Sequence, residues 1–325
     1  MSQTTAEKAH TSLPEHRVPR KKSFLSRLAR QWDIQLMVWP GILLIFVFAY
    51  LPMYGVLIGF MDYSIFTGAR IWENPWVGFK HFQDFFNAPE FLTIMRNTLA
   101  ISLLKFIIGF PAPIFLAIML NEVRHMMFKR VVQTITYLPY FISWVIVAGF
   151  ATSLLSTDNG SINILLEKLG AIDEPINFLS RPEYFWSILV TSNVWKDIGF
   201  NSIIFLAAIA GIDQHMYEAA DIDGASKFRQ VFSITIPTIM PVIIIFMILA
   251  IGSLLSAGFE DILLLAVNPL LRDVSDVIDT YVYRIGLANF RYSYAAAIGL
   301  FRSVVGVILL VFANYLARRT GNSLW

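Results

Sequence analysis

Residues 239–259 read IMPVIIIFMILAIGSLLSAGF and contain no charged side chain. A helix needs about 20 consecutive apolar residues to cross the hydrocarbon core of a bilayer, so this stretch predicts a transmembrane helix. Five further stretches of similar character lie before and after it. The six predicted spans are at about 36–61, 94–120, 131–155, 184–211, 239–259 and 294–316. The sequence therefore predicts an all-α polytopic membrane protein with six transmembrane helices.

The composition excludes several other classes of protein. Of the 325 residues, 56% are apolar and 15% are charged, whereas about 25% of residues are charged in a typical soluble protein. The mean hydropathy is +0.61. The net charge of +2 offers no dense basic face for nucleic acid. There is no cysteine, no HExxH spacing among the five histidines and no Gly-Lys-Ser/Thr phosphate loop. We therefore expect no catalytic residue, metal site or cofactor in this chain.

The basic residues predict the orientation of the chain in the membrane. With the N-terminus inside, the inner segments carry 14 Lys and Arg, whereas the outer loops carry 8 Lys and Arg and 14 Asp and Glu. The positive-inside rule then places both termini in the cytoplasm.

The polar N-terminal stretch predicts a tail in front of one membrane domain. Residues 1–33 carry seven Lys and Arg, and we expect a mostly disordered cytoplasmic tail with a short interfacial helix at about 23–32. The membrane domain follows at 34–325. A secretory signal peptide fits poorly, because the apolar run at 36–61 is longer than the apolar region of such peptides.

The loop before the fifth span has an unusual layout. Residues 217–237 read YEAADIDGASKFRQVFSITIP. A short helix is predicted through 214–222, and Gly224 can supply the positive φ that ends it. A second short helix then runs to Phe232, and Pro237 opens the next span. We call residues 212–238 the elbow. Its residues alone leave open whether it is a docking element or an ordinary connection.

The elbow resembles the signature loop of binding-protein-dependent ABC importer permeases. That loop reads Glu-Ala-Ala, three residues, Gly, nine residues, Ile, one residue, Leu, Pro. The matching positions are Glu218, Ala219, Ala220, Gly224, Ile234 and Pro237, with Asp223 inside the loop and Ile236 in place of the usual Leu. The resemblance implies that the elbow forms coupling helices that sit in a groove of an ATPase subunit.

Other strings narrow the resemblance to one branch of the family. YLPMYG at 50–55, WVGFKHF at 76–82 and YLPYFISW at 137–144 are similar to sugar permeases that handle oligo- and polysaccharides, including the larger permease subunits of bacterial alginate importers. The likeness covers about 36–325. It implies a non-catalytic subunit of the bacterial inner membrane that pairs with a second homologous permease chain. Two ATPase subunits, which bind ATP and Mg²⁺, and an extracytoplasmic sugar-binding protein complete the implied assembly.

Charged residues inside predicted spans are candidates for the substrate path, because they are costly in a membrane. They are Lys105, Lys196, Asp197 and Arg302. Three cations against one carboxylate favour an anionic cargo, and the resemblance implies that this is an acidic sugar such as alginate. The alternative is pairing within the helix bundle, for instance of Asp197 with Lys105 or Arg302. By the same resemblance, permeases for neutral sugars often show Trp-Lys at the place of Trp195 and Lys196. Lys196 alone therefore does not indicate an acidic cargo.

Polar and aromatic side chains on the fourth and fifth spans are further candidates, because sugars bind aromatic faces and hydroxyl-matching groups. The candidates are Asn193, Trp195, Asn201, Ser253, Ser256 and Phe259. The alternative for each is packing or an interfacial belt. Glu260 and Asp261 lie at the end of the fifth predicted span, where we expect solvated charges.

Two other classes of function remain. The first is a sugar transporter driven by an ion gradient, a class that often shows inverted repeats around a midplane site; no strong repeat is visible here. The second is a membrane enzyme or scaffold, and no catalytic carboxylate pair, triad or metal spacing supports an enzyme.

Overall fold

The computed structural model describes residues 31–65, 70–319, 321 and 323–324. It divides into two compact units, Met1–Tyr54 and Gly55–Trp325. Residues 1–30 of the predicted basic tail lie outside the described part of the chain. The predicted disorder and interfacial helix of that tail therefore stay predictions.

The described part of the chain is mainly helical and contains no strand, apart from one isolated β-bridge between Met61 and Trp76. The α-helices in chain order are α1 Trp32–Ile45, α2 Leu51–Met53, α3 Lys80–Phe86, α4 Phe91–Leu104, α5 Pro111–Glu122, α6 Met126–Tyr137, α7 Trp144–Leu154, α8 Ser161–Lys168, α9 Pro182–Ala210, α10 Gln214–Ile222, α11 Lys227–Gln230, α12 Ile236–Gly252, α13 Glu260–Leu265, α14 Arg272–Ser275, α15 Ile278–Tyr283 and α16 Tyr292–Arg318. Wider π-helical turns occur at Phe46–Tyr50, Lys105–Gly109, Val231–Thr235 and Arg284–Ala288.

Four helical stretches in the described part are long and apolar enough to cross a membrane. They are Trp32–Phe60, Phe91–Glu122, Lys227–Gly252 and Tyr292–Arg318. Two bent pairs have the same character, Met126–Phe141 with Trp144–Leu154 at 104° and Pro182–Ala210 with Gln214–Ile222 at 71°. Counting each pair as one span gives up to 6 spans. The architecture is that of an all-helical polytopic membrane protein.

The first unit presents apolar side chains on its surface. No side chain of α1 is buried, and Leu36, Met37 and Trp39 are 65%, 84% and 60% exposed. Such a surface suits lipid tails or an apolar partner.

The second predicted span is continuous but locally widened. α4 and α5 are joined by the π-helical turn Lys105–Gly109, and Pro111 stands at the start of α5. Proline has no N–H to donate, so the turn before it cannot keep the regular α-helical hydrogen bonds. The widened turn begins at Lys105, a candidate substrate-path residue.

The third predicted span, 131–155, is not one continuous helix. α6 ends at Tyr137, a 3-10 turn containing Pro139 follows, and the backbone is extended at Ile142 and Ser143. The break releases several backbone carbonyls from helical hydrogen bonding, and these need donors from elsewhere.

The fifth predicted span ends earlier than the hydropathy suggests, so the prediction of helix up to residue 259 is wrong. α12 stops at Gly252, and residues 253–259 are irregular up to α13. The α12 backbone lies very close to α16 at this point: a β-carbon on Gly306 would be only 2.8 Å from the Gly252 carbonyl oxygen. Gly258 has φ +120°, which a residue with a β-carbon rarely adopts.

Two buried clusters position the elements around the candidate site. The first joins Ile101 of α4, Leu189 of α9 and Ile262 of α13. The second joins Phe85 of α3 and Ile94 of α4 to Tyr294 of α16. These contacts fix α4 and α9 against the irregular segment 253–259.

Candidate functional site

The elbow has the predicted helix–glycine–helix geometry. α10 begins after Asp213, whose side chain accepts a 3.0 Å hydrogen bond from the His215 backbone N–H. It ends at Ile222, and Gly224 has φ +72°. α11 begins after Ser226, whose hydroxyl caps it by accepting from the Arg229 N–H. The predicted helix over 214–222 and the positive φ at Gly224 are confirmed.

The interior of the elbow is tied together by polar side chains that sequence reasoning missed. Gln230 is 2% exposed, and its amide donates to the carboxylate of Asp221 and to the Ala225 carbonyl. The hydroxyls of Tyr217 and Thr235 share a 2.8 Å hydrogen bond. The Gln230 amide lowers the pKa of the Asp221 carboxyl, because it donates to the charged form. These bonds hold α10 against α11 and the turn that leads into α12.

The exposed face of the elbow combines small, apolar and acidic side chains. Glu218, Ala219 and Asp223 are exposed, and the Glu218 carboxylate lies 3.2 Å from His215 Nδ1. Ile222 and Phe228 are 87% and 75% exposed. Large apolar side chains standing out beside two alanines form a surface that a partner protein can bury. Ile234 packs at the edge of a buried cluster, and Pro237 is exposed at the start of α12.

A polar cavity of about 340 Å³ lies between α4, α9 and the end of α12. Six candidate substrate-path residues line it: Lys105, Asn193, Asp197, Asn201, Ser253 and Ser256. Phe106 and Phe110 also contribute to its wall. Hydroxyl, amide and charged groups beside aromatic rings suit a sugar chemically.

The wall of this cavity also contains a polar group that the sequence did not single out. Ser102 lies one helical turn before Lys105 and is 6% exposed. Its hydroxyl is buried and has no hydrogen-bond partner within the described part of the chain. A buried hydroxyl of this kind is available for a ligand.

Lys105 is ion-paired, but with a residue other than those predicted. Its ammonium contacts the Asp261 carboxylate and donates to the Ala257 carbonyl at 2.6 Å. Asp261 is 4% exposed. The expectation that Asp261 is solvated is therefore wrong, because α12 ends early and the chain turns inward before α13.

Comparison with known proteins places the chain in a family. A family model described as binding-protein-dependent transport system inner membrane component matches residues 109–322. The chain belongs to this family. The match confirms the family identified from the elbow.

Relatives of the permease cover nearly its whole length. Protein LplB of Bacillus subtilis (strain 168) is 46% identical over 297 residues, which cover 91% of the permease and 92% of LplB. The polygalacturonan/rhamnogalacturonan transport system permease protein YteP of the same organism is 43% identical over 302 residues, 93% of the permease and 92% of YteP.

A solved relative has the same fold. It is a chain of the bacterial alginate ABC transporter in complex with an alginate pentasaccharide-bound periplasmic protein. The TM-score is 0.84 at 39% identity, and the match covers 92% of the permease and 99% of that chain.

Lys196 of the permease holds the break in the third predicted span. It is 7% exposed, and its ammonium donates to the carbonyls of Tyr140 at 2.6 Å, Ile142 at 2.8 Å and Pro139 at 3.4 Å. These carbonyls are among those released where α6 gives way to α7. Its ammonium also lies 5.3 Å from the centre of the Tyr140 ring. The Lys196 side chain therefore has a structural role and is not among the residues that line the polar cavity.

The remaining three candidates, Arg302, Trp195 and Phe259, also lie outside the lining of the polar cavity. The Phe259 ring packs on Tyr283 with ring centres 5.1 Å apart. Arg302 forms an ion pair with Asp279 of α15. Trp195 is 46% exposed and lines a separate, mainly apolar cavity of about 670 Å³ beside α4 and α9. The cations at 105 and 302 each have a carboxylate partner, and that at 196 is held by carbonyls. None of these three cations is therefore unpaired. The prediction of an acidic cargo from surplus positive charge is not supported.

Proposed function

We propose that the permease is one membrane subunit of an ATP-driven importer that carries an oligo- or polysaccharide across the bacterial inner membrane, with an acidic chain such as alginate as the favoured cargo. The observation that carries the proposal is the elbow, a rigid helix–glycine–helix unit with an exposed apolar face next to α12. Membership of a binding-protein-dependent transport family supports it.

The proposed orientation follows from charge. If Met126–Phe141 with Trp144–Leu154 is one span and Pro182–Ala210 is another, with α10 outside the membrane, the permease has six spans with both termini in the cytoplasm, as the excess of inner Lys and Arg favours. The elbow then faces the cytoplasm, where ATP is available.

In the proposed assembly the elbow is the contact for an ATPase subunit. Ile222 and Phe228 supply apolar anchors, Ala219 permits close approach, and Glu218 offers a charge for an ion pair. The bonds of Gln230 with Asp221 keep the two short helices as one body, so a push on the elbow is transmitted to α12. ATP and Mg²⁺ bind to two ATPase subunits and not to the permease.

The polar cavity is the proposed cargo path. Asn193, Asn201, Ser253 and Asp197 offer partners for sugar hydroxyls, with Lys105 beside them. A second, homologous permease chain encloses the path, and an extracytoplasmic sugar-binding protein delivers the cargo. The acidic character of the cargo is supported by two relatives, YteP, named for polygalacturonan and rhamnogalacturonan, and the alginate transporter.

The proposal is tested by purifying the tagged permease from native membranes in mild detergent. We expect an ATPase and a second permease to copurify. Glu218→Lys combined with Gly224→Trp should remove the ATPase and retain the second permease. The matched control is Glu167→Lys, which reverses an exposed charge on α8 and should retain both. Full retention of the ATPase by the double variant would overturn the role of the elbow.

A further inference from the structure

Lys105 connects the wall of the polar cavity to the irregular segment 253–259 that follows α12. The ammonium is held from that side by the Ala257 carbonyl at 2.6 Å and by the Asp261 carboxylate just beyond the segment. The same side chain lines the cavity. One cation therefore fastens the segment and also faces the space proposed for the cargo.

The segment is shaped around this contact. Gly258 has φ +120°, which a residue with a β-carbon rarely adopts, and a β-carbon there would lie 2.4 Å from Asp261 Oδ1 and 2.8 Å from Lys105 Nζ. Ala257 is 1% exposed. Ser253, Leu254 and Ser256 form part of the cavity wall, so any movement of the segment changes the cavity.

The ion pair discriminates between kinds of cargo. A buried ammonium that loses its carboxylate without gaining another is strongly destabilised in a membrane interior. A neutral sugar cannot replace Asp261, whereas the carboxylate of an acidic sugar can. The buried hydroxyl of Ser102 lies one turn away and has no partner among the described residues, so it is available to the same incoming group.

We infer that Asp261 is an internal substitute for the cargo's carboxylate: an acidic sugar takes the place of Asp261 on Lys105 and frees the segment 253–259. The inference rests on the proposed function and adds a specificity-determining residue to it. After the exchange Lys105 pairs with the sugar, and Asp261 moves with the segment toward water. Acidic cargo is thereby recognised without a surplus of positive charge in the cavity.

The first test follows the release of the segment. The chain has no cysteine, so Ala257→Cys introduces a single thiol at a buried position. In the purified complex we expect slow labelling by a water-soluble maleimide. An oligouronate should accelerate labelling roughly tenfold, the order expected for a hydrogen bond to a charged group, and its carboxyl-reduced neutral counterpart should not. Adding Asp261→Asn to Ala257→Cys should make labelling fast without any sugar.

The second test separates recognition from a purely structural role. Asp261→Asn removes the ion-paired carboxylate from Lys105 and leaves Asp197 as the remaining carboxylate of the cavity wall, so the half-saturating concentration of the oligouronate for stimulating ATP hydrolysis should fall severalfold. In Lys105→Asp with Asp261→Lys the pair is retained but the cavity presents a carboxylate, so stimulation by the oligouronate should be lost.

The outcomes distinguish the inference from the proposed function. The role of Asp261 would be overturned if Ala257→Cys with the oligouronate and Ala257→Cys with Asp261→Asn were both labelled slowly. It would also be overturned if the oligouronate stimulated ATP hydrolysis by Lys105→Asp with Asp261→Lys as strongly as by the wild type. If no oligosaccharide stimulates ATP hydrolysis in the wild-type complex, the proposed function fails, while the labelling of Asp261→Asn still reports whether the ion pair holds the segment.

Discussion

Gly199 of α9 lies directly against the backbone of Thr136 in α6: a β-carbon on residue 199 would be 2.0 Å from the Thr136 carbonyl oxygen. Three residues earlier on α9, Lys196 donates to the carbonyls at the end of the same broken helix. The close approach and the ammonium together hold the break between α6 and α7 against α9.

Gly199→Ala is expected to destabilise the permease. The obstacle is a backbone carbonyl, which cannot turn away as a flexible side chain can, and overpacking of this kind costs about 1–3 kcal/mol. The melting temperature in detergent should fall by several degrees. The matched control is Gly149→Ala in α7, where nothing lies within 4 Å of the new β-carbon and the melting temperature should hold or rise. Equal behaviour of the two variants would contradict the close packing.

Lys196→Met is expected to reduce stability without changing cargo preference. The substitution keeps the length of the side chain and removes the donor to Tyr140 and Ile142, and each buried group left without a partner costs about 1–3 kcal/mol. Lys168→Met, at an exposed position on α8, is the control. Measured per folded molecule, ATP hydrolysis stimulated by acidic and by neutral oligosaccharides should change in parallel. A selective loss of the acidic response at unchanged stability would instead place Lys196 in the substrate path.

Gly224→Ala is expected to uncouple the elbow. Gly224 has φ +72° and Gly170 has φ +68°, and a β-carbon added to either glycine would have no atom within 4 Å. Left-handed backbone costs a non-glycine residue about 1–2 kcal/mol, so Gly224→Ala and Gly170→Ala should lose similar stability. Only Gly224→Ala should lose more than half of the copurifying ATPase. Equal retention of the ATPase by both variants would mean that the turn at Gly224 is a connection and not a docking element.

Asp221 is expected to stay ionised over the physiological pH range. The Gln230 amide lowers the pKa of Asp221 below its ordinary value of 3.8. A carboxyl whose pKa is lower in the folded state stabilises that state above the ordinary value, and this contribution is lost as the pH falls through the lowered value. Retention of the ATPase should therefore show no step from Asp221 between about pH 5 and 8. A step in that range that Asp221→Asn abolishes would contradict the ionised Asp221–Gln230 contact.

The elbow could be predicted because its conformation is local. Gly224 supplies the positive φ from its own backbone freedom. The prediction that a separate short helix ends at Phe232 and that Pro237 opens the span is wrong, because the chain is continuously helical over Lys227–Gly252 through the π-helical turn Val231–Thr235. The contacts that stiffen the elbow were not predictable in the same way. Gln230 and Asp221 are nine residues apart, and nothing in their spacing indicates that they meet after the turn.

The polar cavity was predicted in part. Asn193, Asp197 and Asn201 share one face of α9 by helical spacing, and the position of Lys105 within an apolar span marked it as costly. The pairing with Asp261 was missed because residues 253–259 contain no charged side chain, so the predicted span was extended through them. α12 ends at Gly252 where α16 crosses it closely at Gly306, and a contact with a distant helix leaves no trace in local hydropathy.

The most direct test of the central claim, that the permease works in an ATP-driven importer, is uptake of a labelled oligouronate into proteoliposomes. The vesicle membrane contains the complex that copurifies with the permease, and the sugar-binding protein is added to the outer solution. We predict uptake when ATP and Mg²⁺ are enclosed, and none when a proton or sodium gradient is imposed without ATP. Uptake that persists without ATP and collapses with the ion gradient would contradict the account and identify a secondary transporter.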